Sequence, residues 1–474
     1  MITRSAAKPA RRVICAWFVL VSFLAASCAA PRLSSVLPSV SPPAEDEEVR
    51  ISREFRREAK KHFKFVTNPE VERYIDRLGR RILSVSGPLP YDYRFFVVEE
   101  SQLNAFAVPG GSIYFYSGLI ERAKSTSEIA GVLGHEIIHI KGRHMARSSG
   151  PDAISVLSLI GMILLARTGA GAQAAGAVGQ AISATRQIAY SRQLELEADT
   201  LGARYMASAG FDPNGALGFL KTLDEERALN PVDIPAYLMT HPVTSERVAN
   251  MQQVIRSLGN PAFSVEVPDP LKKIQLILRM ERGDGAAALA AYEKLGAEKP
   301  NSAEVLYLLG LARQLRGQSA QAQQSYERAL ELSPNNPSLL RDLGRLYAQL
   351  GNTDKAEMAF HRSLELQPQE SLTYLYLGEL HEKRNDFRSA VGAYQNAHTL
   401  SPLWDKPPYH LGIVYGKLDR LGDAYYYLAR SLLLQDEDEK ALAALEKAAK
   451  IVGAGSPRGQ LIREELQSLK ARRK

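Results

Sequence analysis

The sequence predicts a mainly α (α+β) fold: a helical domain holding a small β-sheet, followed by an α-helical solenoid. Three observations predict it. Apolar residues at helical spacing from Ser127 lead into a His-rich segment, His135–His139. Two short runs rich in aromatic and β-branched residues, Tyr93–Val98 and Ser112–Tyr116, read as strands. The C-terminal third repeats itself every 34 residues.

In chain order, residues 1–12 carry Arg4, Lys8, Arg11 and Arg12 and no acid, and Val13–Ala26 is an apolar run of 14 residues. A basic stretch, an apolar stretch and small exit residues make a secretory signal over residues 1–27. The run falls short of the ~20 residues that span a bilayer. Leu24-Ala25-Ala26-Ser27-Cys28 resembles a lipoprotein cleavage box, departing from it at Ala25, where the box has Leu. The likeness implies lipidation of Cys28, with ordinary cleavage near Ala30 and a soluble periplasmic protein as the alternative. Ala29 is not Asp, which by the same likeness implies an outer-membrane anchor in contact with the periplasm. Residues 28–48, with Pro31, Pro38, Pro42, Pro43 and the acidic run Glu45–Glu48, read as a flexible tether.

Removing the signal takes four basic residues and lowers the formal charge from +7 to +3. The basic balance then says little about nucleic acid, no nucleic-acid motif is present, and no nucleic-acid partner is expected. Cys15 leaves with the signal, so Cys28 is the remaining cysteine and a bound metal and core packing are expected to hold the fold.

The segment His135-Glu136-Ile137-Ile138-His139 carries the chemistry. Residues four apart share a helix face, so His135 and His139 can aim two imidazoles at one point, with Glu136 on the next position around the turn. That spacing suits one Zn2+ per chain, with Glu136 placed to take a proton from water. A hydrolytic zinc site needs a third protein ligand. In Tyr190–Asp199, Glu195 and Asp199 are four apart, so the Glu can bind metal while the Asp holds a ligating His through its other ring nitrogen.

HEIIHIKGRH and YSRQLELEAD, together with Leu103–Ile113 followed by Gly118-Leu119, and Thr240-His241-Pro242 with Arg247, occur in an order that resembles the HtpX/BepA/prenyl-protease type of zinc metallopeptidase. The resemblance covers roughly residues 50–260. It implies a helical zincin domain over residues 49–262, with zinc on His135, His139 and Glu195, Glu136 as general base and Asp199 behind a ligand. Glu195 is chosen over Glu197 because the family ligand stands four before the Asp. His241 and Arg247 are the candidate oxyanion donors, with Tyr190 a weaker one; His241 can alternatively take the fourth zinc position and make the enzyme latent. Pro109-Gly110-Gly111 signals a turn, and by the same resemblance Asn104, Ala105 and Phe106 are expected to pair with the main chain of an extended substrate. Between the two metal segments, the apolar run Ala153–Ala166 and the Gly/Ala-rich stretch to Ala184 read as a helical hairpin that gates the site or touches a membrane, or as buried core.

Residues 270–453 carry the tetratricopeptide signature. Gly310, Gly344, Gly378 and Gly412 keep the 34-residue period, as do Ala322, Ala356, Ala390 and Ala424, and the bulky Tyr326, Phe360, Tyr394 and Leu428. Small residues let the helices of a unit approach, and the bulky residue is expected to fill the gap to the next unit. A partial unit around Lys272–Pro300 precedes, a capping helix near Glu439–Val452 follows, and residues 454–474 read as a basic tail ending in a solvated helix. Stacked repeats present a groove that binds peptides or proteins.

Signal, catalytic residues and repeats together point to an envelope endopeptidase. Its expected partners are unfolded or assembling envelope proteins, the outer-membrane protein assembly machinery through the repeats, and the membrane through the lipid anchor. A chaperone-like assembly factor acting through its repeats, with a latent protease site, is the second reading. A membrane-embedded prenyl-protein peptidase is the third, opposed by the lack of long apolar spans.

Overall fold

A computed structural model describes residues 45–149, 192–229, 236–259, 263 and 269–471. The signal, Cys28, Tyr190 and the segment 153–184 lie outside the described residues. Among the described residues, no helix is long and apolar enough to cross a membrane.

The first domain is built around three strands, β1 (Arg94–Val98), β2 (Ala105–Val108) and β3 (Ser112–Tyr116), in the order β1-β3-β2. β1 runs parallel to β3 with Arg94 opposite Ser112, and β2 runs antiparallel to it with Ala105 opposite Phe115. The β2–β3 turn depends on Gly110, which sits at φ 85° and whose added Cβ would fall 2.2 Å from the Glu48 carbonyl oxygen.

Alternation divides the strand side chains between two faces. On one, Phe96 and Phe106 stack on Tyr114, 5.0 and 4.8 Å between centroids, beneath Phe55 of α1 (Glu45–His62). On the other, Ile113, Phe115, Ala105 and Ala107 join the main core with α2 (Pro69–Leu83) and, beyond α3 (Ser117–Arg122), α4 (Thr126–Lys141). α1 begins inside the acidic run that reads as tether. Its Glu48 is buried, accepting from Tyr91 Oη and paired with Arg143 at 2.8 Å, so the linker yields to ordered helix before position 49. Carboxylates at a helix N-terminus are favoured by its dipole.

After α5 (His144–Ser149), the domain continues with α6 (Arg192–Ser208), α7 (Asn214–Leu229), α8 (Ala236–Thr240) and α9 (Ser245–Ser257). Helix pairs then follow at 271–281/285–298, 303–315/319–332, 337–349/353–366, 371–383/387–400 and 406–417/421–434.

In each full repeat the periodic glycine lies under the periodic bulky residue of its own pair. A Cβ on Gly310, Gly344, Gly378 or Gly412 would come within 2.5–2.8 Å of Tyr326, Phe360, Tyr394 or Leu428. The bulky residue therefore seals its own unit first, and only then reaches onward, as Phe360 does to Tyr376 at 6.5 Å. Asp438–Ile451 and Pro457–Ala471 form a further pair, in which Ile462 and Leu469, seven apart on one helix face, are buried against Leu445 and Ala448. Most of the segment read as a basic tail is thus a packed helix.

The repeats are fastened to the first domain by buried charge. Glu70 of α2 meets Arg341 and Lys273, each at 2.8 Å, and Lys273 also meets Asp342 at 2.7 Å. Arg56 of α1 forks onto Asp436 at 2.6 and 2.7 Å.

Candidate metal centre

The metal helix α4 starts at Ser125, whose side chain accepts from the Glu128 N–H while Glu128 accepts in return from the Lys124 N–H. From Glu128 to Ile140 every residue of α4 is buried, so its histidines face the interior rather than a surface cleft. α6 crosses it at a glycine contact. A Cβ on Gly134 would lie 2.8 Å from the Gly202 carbonyl oxygen, and one on Gly202 would lie 2.9 Å from Gly134. The backbones can therefore approach one residue before His135 and one turn after Asp199, which brings the two motifs into register.

Four donors converge there: His135, His139, Glu195 and His241, all within 4.8 Å of one another. His135 Nε2 lies 2.9 Å from His139 Nε2 and 3.3 Å from His241 Nδ1. Glu195 Oε1 lies 2.9 Å from His241 Nδ1 and 3.3 Å from His139 Nε2. Ligands at about 2.0–2.1 Å in a tetrahedron stand roughly 3.3 Å apart, so the cluster has the dimensions of a single tetrahedral site. Two neutral ring nitrogens approach as His135 and His139 do only around a shared proton or cation. Three imidazoles and a carboxylate form a donor set suited to a divalent transition metal.

Glu136 is fully buried, and among the described residues neither carboxylate oxygen has a hydrogen-bond partner. His241 Nε2 lies 3.7 Å from Glu136 Oε1. An orphaned buried carboxylate is costly unless the site uses it.

The surroundings hold the donors in ligating forms. His135 Nδ1 is 2.9 Å from Asp199 Oδ1. Arg247 donates from Nε and Nη2 to Asp199 at 2.7 and 2.8 Å, meets Glu195 Oε2 at 2.8 Å, and donates to the Pro242 carbonyl at 3.1 Å. Burial opposes charge on Glu195, but the neighbouring His241 and His135 hold its carboxyl well below the usual carboxylate range. Burial, reinforced by the neighbouring His135, holds His139 well below its ordinary value. A carboxylate and a neutral imidazole are the forms that bind metal.

Arg247, a candidate oxyanion donor from sequence, is paired with Asp199, Glu195 and the Pro242 carbonyl in the structure. His241 turns Nδ1 into the donor set. Tyr237, one helical turn earlier, covers its ring at 4.6 Å between centroids, and the His241 N–H donates to the Tyr237 carbonyl at 2.8 Å. Ala105 and Asn104 are buried, and Asn104 accepts from the Tyr116 N–H through its carbonyl. Phe106 packs inside the aromatic cluster, so β2, an outer strand of the sheet, can offer a substrate its main chain rather than this ring. Tyr237 and His144 were not assigned roles from sequence. Only the HIKGRH context of His144 carried a usable signal.

Residues 67–255 match the family model described as Peptidase family M48. Residues 275–337 and 314–377 match models described as Tetratricopeptide repeat. Residues 390–450 match the model described as Est1 DNA/RNA binding domain, over helices that continue the 34-residue period. The chain is 31% identical over 211 residues to the Beta-barrel assembly-enhancing protease of Escherichia coli, covering 43% of each chain. A Vibrio cholerae relative is 33% identical over 252 residues, covering 52% of this chain and 51% of its own. Mitochondrial metalloendopeptidase OMA1 of Schizosaccharomyces pombe is 28% identical over 38% of this chain and 52% of its own. The chain thus spans about half the length of the curated relatives it matches. A crystal structure of MamA aligns with a TM-score of 0.32 at 22% identity, over 34% of this chain and 95% of that one.

Proposed function

We propose that this chain, which carries a peptidase family M48 domain followed by tetratricopeptide repeats, is a zinc-dependent endopeptidase of the bacterial cell envelope. The observation that carries the reading is the buried Glu136, without a hydrogen-bond partner among the described residues, beside a four-donor site of tetrahedral dimensions. His135, His139 and Glu195 would hold the zinc. Zinc there supplies Lewis acidity, lowering the pKa of water and polarising a carbonyl.

Glu136 accepts the proton of the attacking water and returns it to the leaving amine. Asp199 fixes the tautomer of His135, and Arg247 holds Asp199 and Glu195 in place. The main chain at Asn104 and, in β2, at Ala105 and Phe106 aligns an extended substrate as an added strand. Misfolded or stalled envelope proteins are the substrates this reading implies. The signal, Cys28 and the relatives named for β-barrel assembly support a periplasmic enzyme tethered to the outer membrane, with the assembly machinery as partner.

A second reading is supported by His241. With Nδ1 inside the donor set it would fill the coordination position that catalysis needs open. The resting enzyme is then latent, and an assembly role through the repeats can dominate. Part of the repeat surface is already taken by the peptidase domain, at Lys273, Arg341 and Lys406.

The test is zinc content together with casein cleavage for the mature chain, Glu136→Gln and His241→Ala. One zinc per chain, cleavage lost in Glu136→Gln, and basal cleavage raised in His241→Ala support a latent peptidase. A zinc-free wild type contradicts the reading.

A further inference from the structure

We propose that His144 is the positioning residue of the metal ligand His139, and that Gly142-Arg143-His144 is shaped to seat it; this rests on the metal-centre reading above. An imidazole that binds metal through one nitrogen carries its proton on the other and needs an acceptor there. For His135 the acceptor is Asp199. His139 turns Nε2 into the donor set and Nδ1 away from it, where His144 Nδ1 stands at 2.9 Å. Two ring nitrogens at that distance share one proton. With His139 ligating through Nε2, the proton sits on His139 Nδ1 and His144 accepts it. The proton of His144 is then on Nε2, 3.7 Å from Glu197 Oε2. Glu197 in turn pairs with Arg147 at 3.1 Å.

The local sequence builds this contact. α4 ends at Lys141, and the chain must turn back sharply for a residue three further on to reach His139. Arg143 makes the turn in the left-handed region, φ 51°, where a residue with a Cβ rarely sits, and its guanidinium is paired with the buried Glu48 at 2.8 Å. Gly142 leaves the room: a Cβ there would lie 2.3 Å from His144 Nε2 and 2.5 Å from Cδ2. His144 itself is fully buried. The two histidine ligands are thus held differently, His135 by a carboxylate locked under Arg247, His139 by an imidazole whose far nitrogen looks toward a partly exposed ion pair.

The experiment compares zinc affinity, by competition with a chromophoric chelator, for the mature chain and for His144→Asn, His144→Gln and His144→Ala. The melting temperature of each zinc-free protein is recorded alongside. Asn places its amide oxygen where Nδ1 stood and can accept from His139; Gln places its polar atoms further out and cannot. The expected result is affinity close to wild type for His144→Asn and about 10–100-fold weaker binding for His144→Gln and His144→Ala, with similar zinc-free melting temperatures for Asn and Gln. Undiminished affinity in His144→Gln, or equal losses in Asn and Gln, overturns the assignment; should His144→Ala fail to fold, the Asn–Gln pair decides. A wild type that binds no zinc overturns the metal centre itself, and the assignment with it.

Discussion

Two of the buried charge clusters among the described residues are built on opposite terms. At the domain junction, Glu70, Lys273, Arg341 and Asp342 are each at least nine-tenths buried, and each meets an opposite charge within 3 Å. At the metal centre, two imidazoles press nitrogen to nitrogen and a fully buried carboxylate has no hydrogen-bond partner among the described residues. A cluster whose charges cancel needs nothing further and serves architecture. One that leaves like groups facing each other is complete only with a cation and a reacting molecule.

The contrast can be broken from either side. The largest expected effect is on catalysis: Glu136→Gln should lower casein cleavage by about 10²–10⁴-fold while zinc content is unchanged, because Glu136 lies outside the donor set. Next comes Arg341→Leu, which leaves Glu70 and Asp342 under-compensated in the interior. Denaturant unfolding should show a loss of about 3–5 kcal/mol, with zinc affinity unaffected.

Asp199→Asn should weaken zinc binding about 10–100-fold, or roughly 1.4–2.7 kcal/mol, by removing the charge that orients His135. Gly378→Ala should cost about 1–3 kcal/mol, because its Cβ meets the Tyr394 ring at 2.5 Å. A better helix former at that position offsets part of the loss.

The junction also sets a pH dependence. Burial opposes ionisation of Asp342, but Lys273 and Arg341 outweigh it and hold the carboxyl below its ordinary value of 3.8. A depressed carboxylate contributes stability that is complete above its unfolded value and is lost as pH falls toward the folded one. The stability advantage of wild type over Asp342→Asn should therefore stay level from about pH 7 to about pH 5 and shrink below about pH 4.

Much of the donor cluster was legible because helical spacing is a local property. His135 and His139, like Glu195 and Asp199, sit four apart, and the spacing alone sets which side chains share a face. The repeats were legible for the same reason, since a 34-residue period shows in any phase-keeping residue. What the bulky residues of the repeats touch was not, because period says nothing about which helix lies nearer.

The junction was invisible. Glu70 and Arg341 are 271 positions apart and each reads as an ordinary solvated charge on its own helix. Glu48 reads as part of an acidic linker until Arg143 and Tyr91 are brought to it. Arg247 was legible as a cation near the site, but not the two carboxylates it meets, which lie 48 and 52 positions away in the chain.

Zinc K-edge X-ray absorption on the mature protein and on His241→Ala tests the central claim most directly. The account predicts nitrogen or oxygen neighbours at about 2.0–2.1 Å in wild type, with scattering from at least the two imidazoles of His135 and His139; a third imidazole that disappears in the variant supports the latent reading. Absence of zinc, or a zinc with fewer than two imidazole neighbours, would contradict it.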